Sequence, residues 1–199
     1  MALYRVRCFE ITMSKDTLIL QKIEKEAQAG SRSLPIVGPK KGQFLESLIK
    51  THAPGRVLEI GTLVGYSAIL IARNLPKGKI TCLEMSPENA EEAQKNLSEA
   101  GFNTQVEILI GDARKFINHL KETFDFVFID AEKKQYLTYL QLLEKNDKIK
   151  KGSVILADNA KIFAEEMKDY LDYVRTSPLY QSSYHDFDED GMEVSIKVQ

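Results

Sequence analysis

The chain has 199 residues, 43% of them hydrophobic and 28% charged, an ordinary globular composition with enough apolar residues for one well-buried core. A formal net charge of -2 supplies no overall basic field toward nucleic acid or an anionic membrane. The two cysteines, Cys8 and Cys82, lack CxxC spacing and Cys82 lies in an apolar run, so reduced thiols in a cytoplasmic protein are expected.

Taken in order, residues 1–52 read as helices without strands. The candidates are Lys15–Ala29 and 39–52, separated by the turn-formers Gly30, Ser31, Arg32, Ser33, Leu34 and Pro35. Arg5, Arg7 and Glu10 interrupt any apolar signal-peptide core, and no run of about 18 apolar residues exists to span a membrane. A helical addition of this kind suits either a lid over a site or a subunit interface, and a homodimer is expected from it.

Residues 53–199 alternate short apolar runs with longer amphipathic ones, the pattern of a parallel sheet covered by helices, so one domain of 1–199 is expected. The predicted strands are Arg56–Ile60, Lys79–Glu84, 105–110, 125–130 and 153–158. Little strict alternation is expected in strands covered on both faces. Between the second and third, Ser86 is a helix cap, Pro87 suits the first turn, and Ala90, Ala93, Leu97 and Ala100 share a face that Gly101 ends. At the end of the chain Met192, Val194, Ile196 and Val198 alternate with polar residues. With 179–185 they predict a terminal hairpin entered through Asp190 and Gly191.

The run Val57-Leu58-Glu59-Ile60-Gly61-Thr62-Leu63-Val64-Gly65-Tyr66-Ser67 is a strand entering a glycine turn and then a helix. Gly61 permits close backbone approach to a ligand, and Gly65 lets the helix start near the strand. A dinucleotide fingerprint would place glycine where Leu63 stands, so pyrophosphate is disfavoured and a single nucleoside fits better. Glu84 closes the second strand where an acid accepts hydrogen bonds from a ribose diol. Gly111, Asp112 and Ala113 close the third strand and reach toward the base, although Asp112 equally suits a helix cap.

Two apolar strands end on hard oxygen ligands: Phe126 to Ile129 runs into Asp130, and Val154 to Ala157 runs into Asp158 and Asn159. If parallel, they present two carboxylates and one amide at one rim, a partial shell for magnesium, with manganese or calcium also accepted. Caps and a polar turn are the alternative reading of the same three residues. Lys133, three residues after Asp130, is either a solvated lysine or a base reaching toward a bound hydroxyl. His52, His119 and His185 show no nucleophilic triad spacing.

The succession Val57 to Gly61, Gly65-Tyr66-Ser67, Glu84-Met85, Asp130-x-x-Lys133 and Leu156-Ala157-Asp158-Asn159 resembles the cation-dependent O-methyltransferases, the family of the catechol and caffeoyl-CoA enzymes. The likeness extends upstream to Val37-Gly38-Pro39-Lys40-Lys41-Gly42 and downstream to Asp190-Gly191-Met192-Glu193. It implies a Rossmann-like class I methyltransferase fold with a mostly parallel seven-stranded sheet and an antiparallel C-terminal hairpin. S-adenosylmethionine is then the nucleoside, held by Val37, Glu59, Gly61, Thr62, Gly65, Tyr66, Ser67, Glu84, Met85, Gly111, Asp112, Ala113 and Asp130. Asp130, Asp158 and Asn159 become ligands of a divalent cation, and Lys133 the catalytic base. The implied acceptor is a small vicinal hydroxyl or catechol-like compound. A hydroxylated tRNA nucleoside and a non-catalytic nucleoside-binding module are the alternatives. Where the catechol enzyme has histidine and tryptophan after its metal aspartate, this chain has Ala131 and Glu132, so its acceptor wall differs. Asp186 is an approximate counterpart of that enzyme's substrate glutamate, in an acidic run that also reads as a solvated loop.

Overall fold

The computed structural model describes residues 13–30 and 34–199; Cys8 and the predicted turn at 31–33 lie outside the described residues. Two helices, α1 (Lys15–Ala29) and α2 (Gly38–His52), come first. Then follow β1 (Arg56–Ile60), α3 (Tyr66–Arg73), β2 (Lys79–Glu84), α4 (Pro87–Ala100), β3 (Val106–Ile110), α5 (Ala113–Ile117) and β4 (Phe124–Ile129). The chain continues with α6 (Tyr136–Lys145), β5 (Ile149–Ala157), α7 (Lys168–Thr176), β6 (Tyr180–Phe187) and β7 (Asp190–Lys197).

Among the described residues the seven strands form one sheet in the order β3-β2-β1-β4-β5-β7-β6. The first five are parallel, and β7 inserts antiparallel between β5 and β6. The strand order reverses between β1 and β4, and crevices of open α/β sheets form at the carboxyl ends beside such a reversal. Both faces are covered by separate apolar cores. One joins α1, α2, α3 and α4 to the sheet through residues such as Ile23, Leu45, Ile69, Phe126 and Phe128. The other joins α5, α6 and α7 through Tyr136, Leu140, Tyr170 and Val127. This two-sided burial explains why β1 and β4 read as nearly continuous apolar runs.

Local chemistry accounts for the boundaries. In α4 the Ser86 hydroxyl accepts from the Asn89 amide, Pro87 occupies the first turn and Gly101 ends the helix at φ 92°. Strand β5 starts at Ile149, four residues before the predicted start. Ile149 is buried beside Phe124, while Lys150 and Lys151 face outward across a register shift. The Ser153 hydroxyl closes that irregularity by donating to the Phe124 carbonyl at 2.7 Å. The hairpin strands also begin and end earlier or later than predicted by one or two residues, with Asp190 paired to Phe187 rather than left in the turn. No helix of the described residues is long and apolar enough to cross a membrane.

Candidate active site

The parallel ladder builds the site in steps. The amide of Gly111 donates to the Glu84 carbonyl (2.7 Å), that of Gly61 to Leu83 (2.9 Å), that of Asp130 to Ile60 (2.9 Å) and that of Asp158 to Ile129 (3.0 Å). Each residue just past a strand is thus fixed by the last carbonyls of its neighbour, and four chain segments arrive on one rim. They open on a cavity of about 1250 Å³ lined by Val37, Gly61, Thr62, Tyr66, Ser67, Glu84, Met85, Gly111, Ala113, Asp130, Lys133, Asp158 and Asn159. That volume is ample for a nucleoside together with a small second molecule.

Three predicted site residues stand outside that wall. Glu59 is fully buried behind it, where its Oε2 accepts from the Thr62 hydroxyl (2.8 Å) and the Cys82 thiol (3.1 Å) and its Oε1 has no partner. Burial pushes its carboxyl up to about 7, against the pull of its hydrogen-bond donors. Gly65 caps α3 at φ 84° and is pressed against α4, since a Cβ there would lie 3.3 Å from Ala93. Asp112 caps α5 by accepting from the Arg114 amide at 2.9 Å and pairs with the Arg114 guanidinium, the helix-cap alternative of its sequence reading.

The glycine turn is tied down by Glu84. Its Oε2 accepts from the amides of Thr62 (3.1 Å) and Leu63 (2.8 Å), and its Oε1 from Ser86 (2.9 Å). A carboxylate has about four acceptor positions, so these bonds orient Glu84 and leave capacity for a ligand's hydroxyls. Leu63 takes a positive φ of 49° at the position where a dinucleotide site has glycine. The Asn96 side chain steadies the same turn by donating to the Val64 carbonyl at 3.0 Å.

At the other end of the cavity Lys133 is drawn in. Its side chain is only 15% exposed, and its ammonium donates to Asp130 Oδ1 at 2.8 Å and to the Tyr136 hydroxyl at 2.9 Å. It also lies 5.8 Å from the centre of the Phe163 ring. The apolar Ile162 and Phe163 and the acidic Glu132, Asp188 and Glu189 line this part of the cavity. Asp186 does not: it sits on exposed β6 and pairs with Lys161, the solvated alternative for that residue.

Two residues without a sequence-assigned role complete the rim. Lys41, in the first turn of α2, donates to both oxygens of Asp158 at 2.7 and 2.8 Å and to Asp190 Oδ2 at 2.7 Å. Asn159, at φ 65°, donates its Nδ2 to the same Asp190 oxygen at 2.7 Å. In the sequence Lys41 lies inside the Val37 to Gly42 motif, and Asp190 is the first residue of the Asp190-Gly191 pair. Asp190 is buried, unlike its exposed neighbours Asp188 and Glu189, because β7 begins at it. Burial and the facing charge of Asp130 push the Asp158 carboxyl upward, with Lys41 opposing them. Burial pulls the Lys41 ammonium down, yet Asp158 and Asp190 outweigh it and hold its pKa above the usual lysine value.

These contacts test the fit of a cation. Among the described residues no three His, Cys, Asp or Glu side chains cluster as a ready metal site. The trio here is two carboxylates and an amide, all oxygen donors suited to a hard cation. The Asn159 amide nitrogen is spent on Asp190, which leaves its oxygen for a ligand role. Each carboxylate is paired with an ammonium, Asp158 with Lys41 and Asp130 with Lys133, so positive charge is already drawn to both. The residues therefore fit a divalent ion of the magnesium type.

Comparison with known proteins adds a second line. Residues 10–176 match the family model described as O-methyltransferase. The chain is 38% identical over 172 residues to catechol O-methyltransferase B of Danio rerio, covering 80% of this chain and 64% of that protein. It is 34% identical to catechol O-methyltransferase of Sus scrofa, covering 80% of this chain and 91% of the other. The chain thus spans just under two thirds of the length of the Danio rerio relative. Among solved structures, the O-methyltransferase TomG from Streptomyces achromogenes, in complex with SAM, superposes with a TM-score of 0.81 at 25% identity, over 91% of this chain and 90% of that one.

Proposed function

The chain belongs to the O-methyltransferase family, and on that premise we propose that it transfers the methyl group of S-adenosylmethionine to one hydroxyl of a small vicinal-diol or catechol-like acceptor, with help from a divalent cation. The observation that carries this reading is the convergence of Glu84, Asp130, Asp158, Asn159 and Lys133 on one cavity. A similar solved structure in complex with SAM and relatives named catechol O-methyltransferase support the donor and the acceptor class.

In this reading Gly61, Thr62, Tyr66, Ser67 and Val37 surround the methionine part of the donor, and Glu84 accepts from its ribose. Met85, Gly111 and Ala113 flank the base, while Glu59, Gly65 and Asp112 act behind the wall by holding the turn and the helix starts. Asp130, Asp158 and Asn159 hold the cation, magnesium first and manganese or calcium as substitutes. A cation bound there would supply Lewis acidity that makes the acceptor hydroxyl easier to deprotonate. Lys133, fixed by Asp130 and Tyr136, first releases its ammonium proton to solvent and, as the neutral amine, takes the proton of the hydroxyl to be methylated. Phe163 and Ile162 cover the acceptor's apolar part and exclude water beside the reacting atoms. Rate then comes from positioning and electrostatics, because the sulfonium donor carries the reactive group.

The cavity wall has more carboxylates than ammonium groups, which favours a small acceptor over a tRNA nucleoside. We further propose a cytoplasmic homodimer working as one domain. The free, buried Cys82 fits a reducing compartment, and the exposed Leu18 of α1 fits a subunit contact. Transfer of labelled methyl to catechol, to a monophenol and to unmodified and hydroxylated tRNA tests the acceptor class. Labelled catechol with no labelled monophenol is expected. Label on tRNA alone, or on none of the four, would overturn the small-diol reading.

A further inference from the structure

Lys41 places an ammonium on both oxygens of Asp158, the most buried of the three proposed cation ligands, with exposures of 14% and 2% for the two side chains. The ammonium takes two of the carboxylate's about four acceptor positions, so a metal ion bound to the same oxygens would lie close to a second positive charge that repels it. The lysine has a second anchor. Asp190 Oδ2 accepts from it at 2.7 Å and also accepts from the Asn159 amide at 2.7 Å.

We infer that Lys41 is an internal cation that competes with the divalent ion for Asp158 and, when displaced, stays on Asp190. The inference rests on the metal reading of Asp130, Asp158 and Asn159. The lysine stem is flexible and its ammonium is a point charge, so leaving Asp158 costs it one carboxylate and not both. Asp190 thereby couples the two events: the same carboxylate that retains Lys41 also holds the Asn159 amide nitrogen and so leaves the amide oxygen to act as the ligand atom. Removing the competitor strengthens metal binding, and replacing it by a better competitor weakens binding. Arginine is the better competitor, because its planar fork matches the two oxygens of a carboxylate.

The test is the dissociation constant for Mn²⁺, read from the spin-resonance signal of the free ion in the absence of donor and acceptor. Lys41→Gln is expected to bind Mn²⁺ about tenfold more tightly than the wild type. Lys41→Arg, which keeps the charge, is expected to bind it more weakly. Lys40→Gln removes the same charge from the adjacent exposed residue and should stay within about twofold of wild type. Unchanged or weaker binding in Lys41→Gln, unchanged or tighter binding in Lys41→Arg, or an equal gain in Lys40→Gln would each overturn the competition. Asp158→Ala separates this from the parent reading. Loss of Mn²⁺ binding there, with Lys41→Gln unchanged, defeats the competition alone. A wild type that takes up no Mn²⁺, or an Asp158→Ala protein that binds like wild type, defeats the metal reading and this inference together.

Discussion

The backbone of Asp130 occupies the space a side chain on Gly61 would need. A Cβ at Gly61 would overlap the Asp130 carbonyl oxygen and lie 2.8 Å from its carbon, and the residue also has φ 92°. Close contact of these two strand ends brings the glycine turn against the first proposed metal ligand, so one substitution should damage both. Gly61→Ala is expected to lose about 3 kcal/mol of stability and measurable donor binding. Gly101 has the same φ with open space around it, so Gly101→Ala should cost about 1 kcal/mol and bind donor normally. Melting curves and donor titration of the two variants compare strain alone with strain plus clash. Equal behaviour would contradict the account.

Lys133 reads as a solvated lysine or a base in the sequence; in the structure it is enclosed between Asp130 and Tyr136. Lys133→Ala should lower kcat by about 10²- to 10⁴-fold with little change in the donor's Kd. Tyr136→Phe removes one of its two partners and should lower kcat by about two- to tenfold. Steady-state kinetics decides, and a Lys133→Ala enzyme with full kcat removes the base assignment.

The hydroxyl of Tyr66 donates to Glu24 of α1 at 2.5 Å, which links the N-terminal helix to a cavity wall residue. Burial first, and then Glu24, pushes the Tyr66 phenol upward, so it stays a neutral donor in that bond. Glu24→Ala is expected to weaken donor binding about tenfold, the effect of a lost hydrogen bond to a charged group. Tyr66→Phe should do the same, and the double variant should be no worse than either single one, since they share the interaction. Full additivity in donor titrations would mean that Glu24 acts elsewhere.

Glu59 gives a pH test with a definite sign. Its folded carboxyl is raised from 4.5 to about 7 by burial. The folded state thus holds a proton that the unfolded state releases first. Its contribution is complete below about pH 4 and is lost as pH rises to about 7, by about 3 kcal/mol in all. Glu59→Gln should flatten that part of the profile and exceed the wild type in stability above pH 7. Denaturant titrations from pH 4 to pH 8 measure it; parallel profiles for the two proteins would contradict the assignment.

Much of this architecture is legible in the sequence because its signals are local. Strand β1, the capped helix α4 and the Asp130 and Asp158 strand ends follow from apolar runs, caps and turn residues read along the chain. What escapes is set by tertiary contact. Lys41 and Asp190 are 149 residues apart and meet only because α2 packs against the sheet while β7 inserts beside β5. The early start of β5 depends on Ile149 finding Phe124 across a register shift, which no local pattern encodes. Asp112 shows the converse: its helix-cap reading and its ligand reading use the same residues, and only the fold turns its oxygens to Arg114.

If Asp130, Asp158 and Asn159 hold a cation required for methyl transfer, turnover of labelled donor with catechol collapses after metal removal. Chelated wild type should lose more than about 10²-fold in rate and recover on addition of Mg²⁺, whereas Asp158→Ala should remain inactive at any Mg²⁺ concentration while still binding donor. Undiminished turnover in chelator, or an active Asp158→Ala enzyme, would contradict the claim.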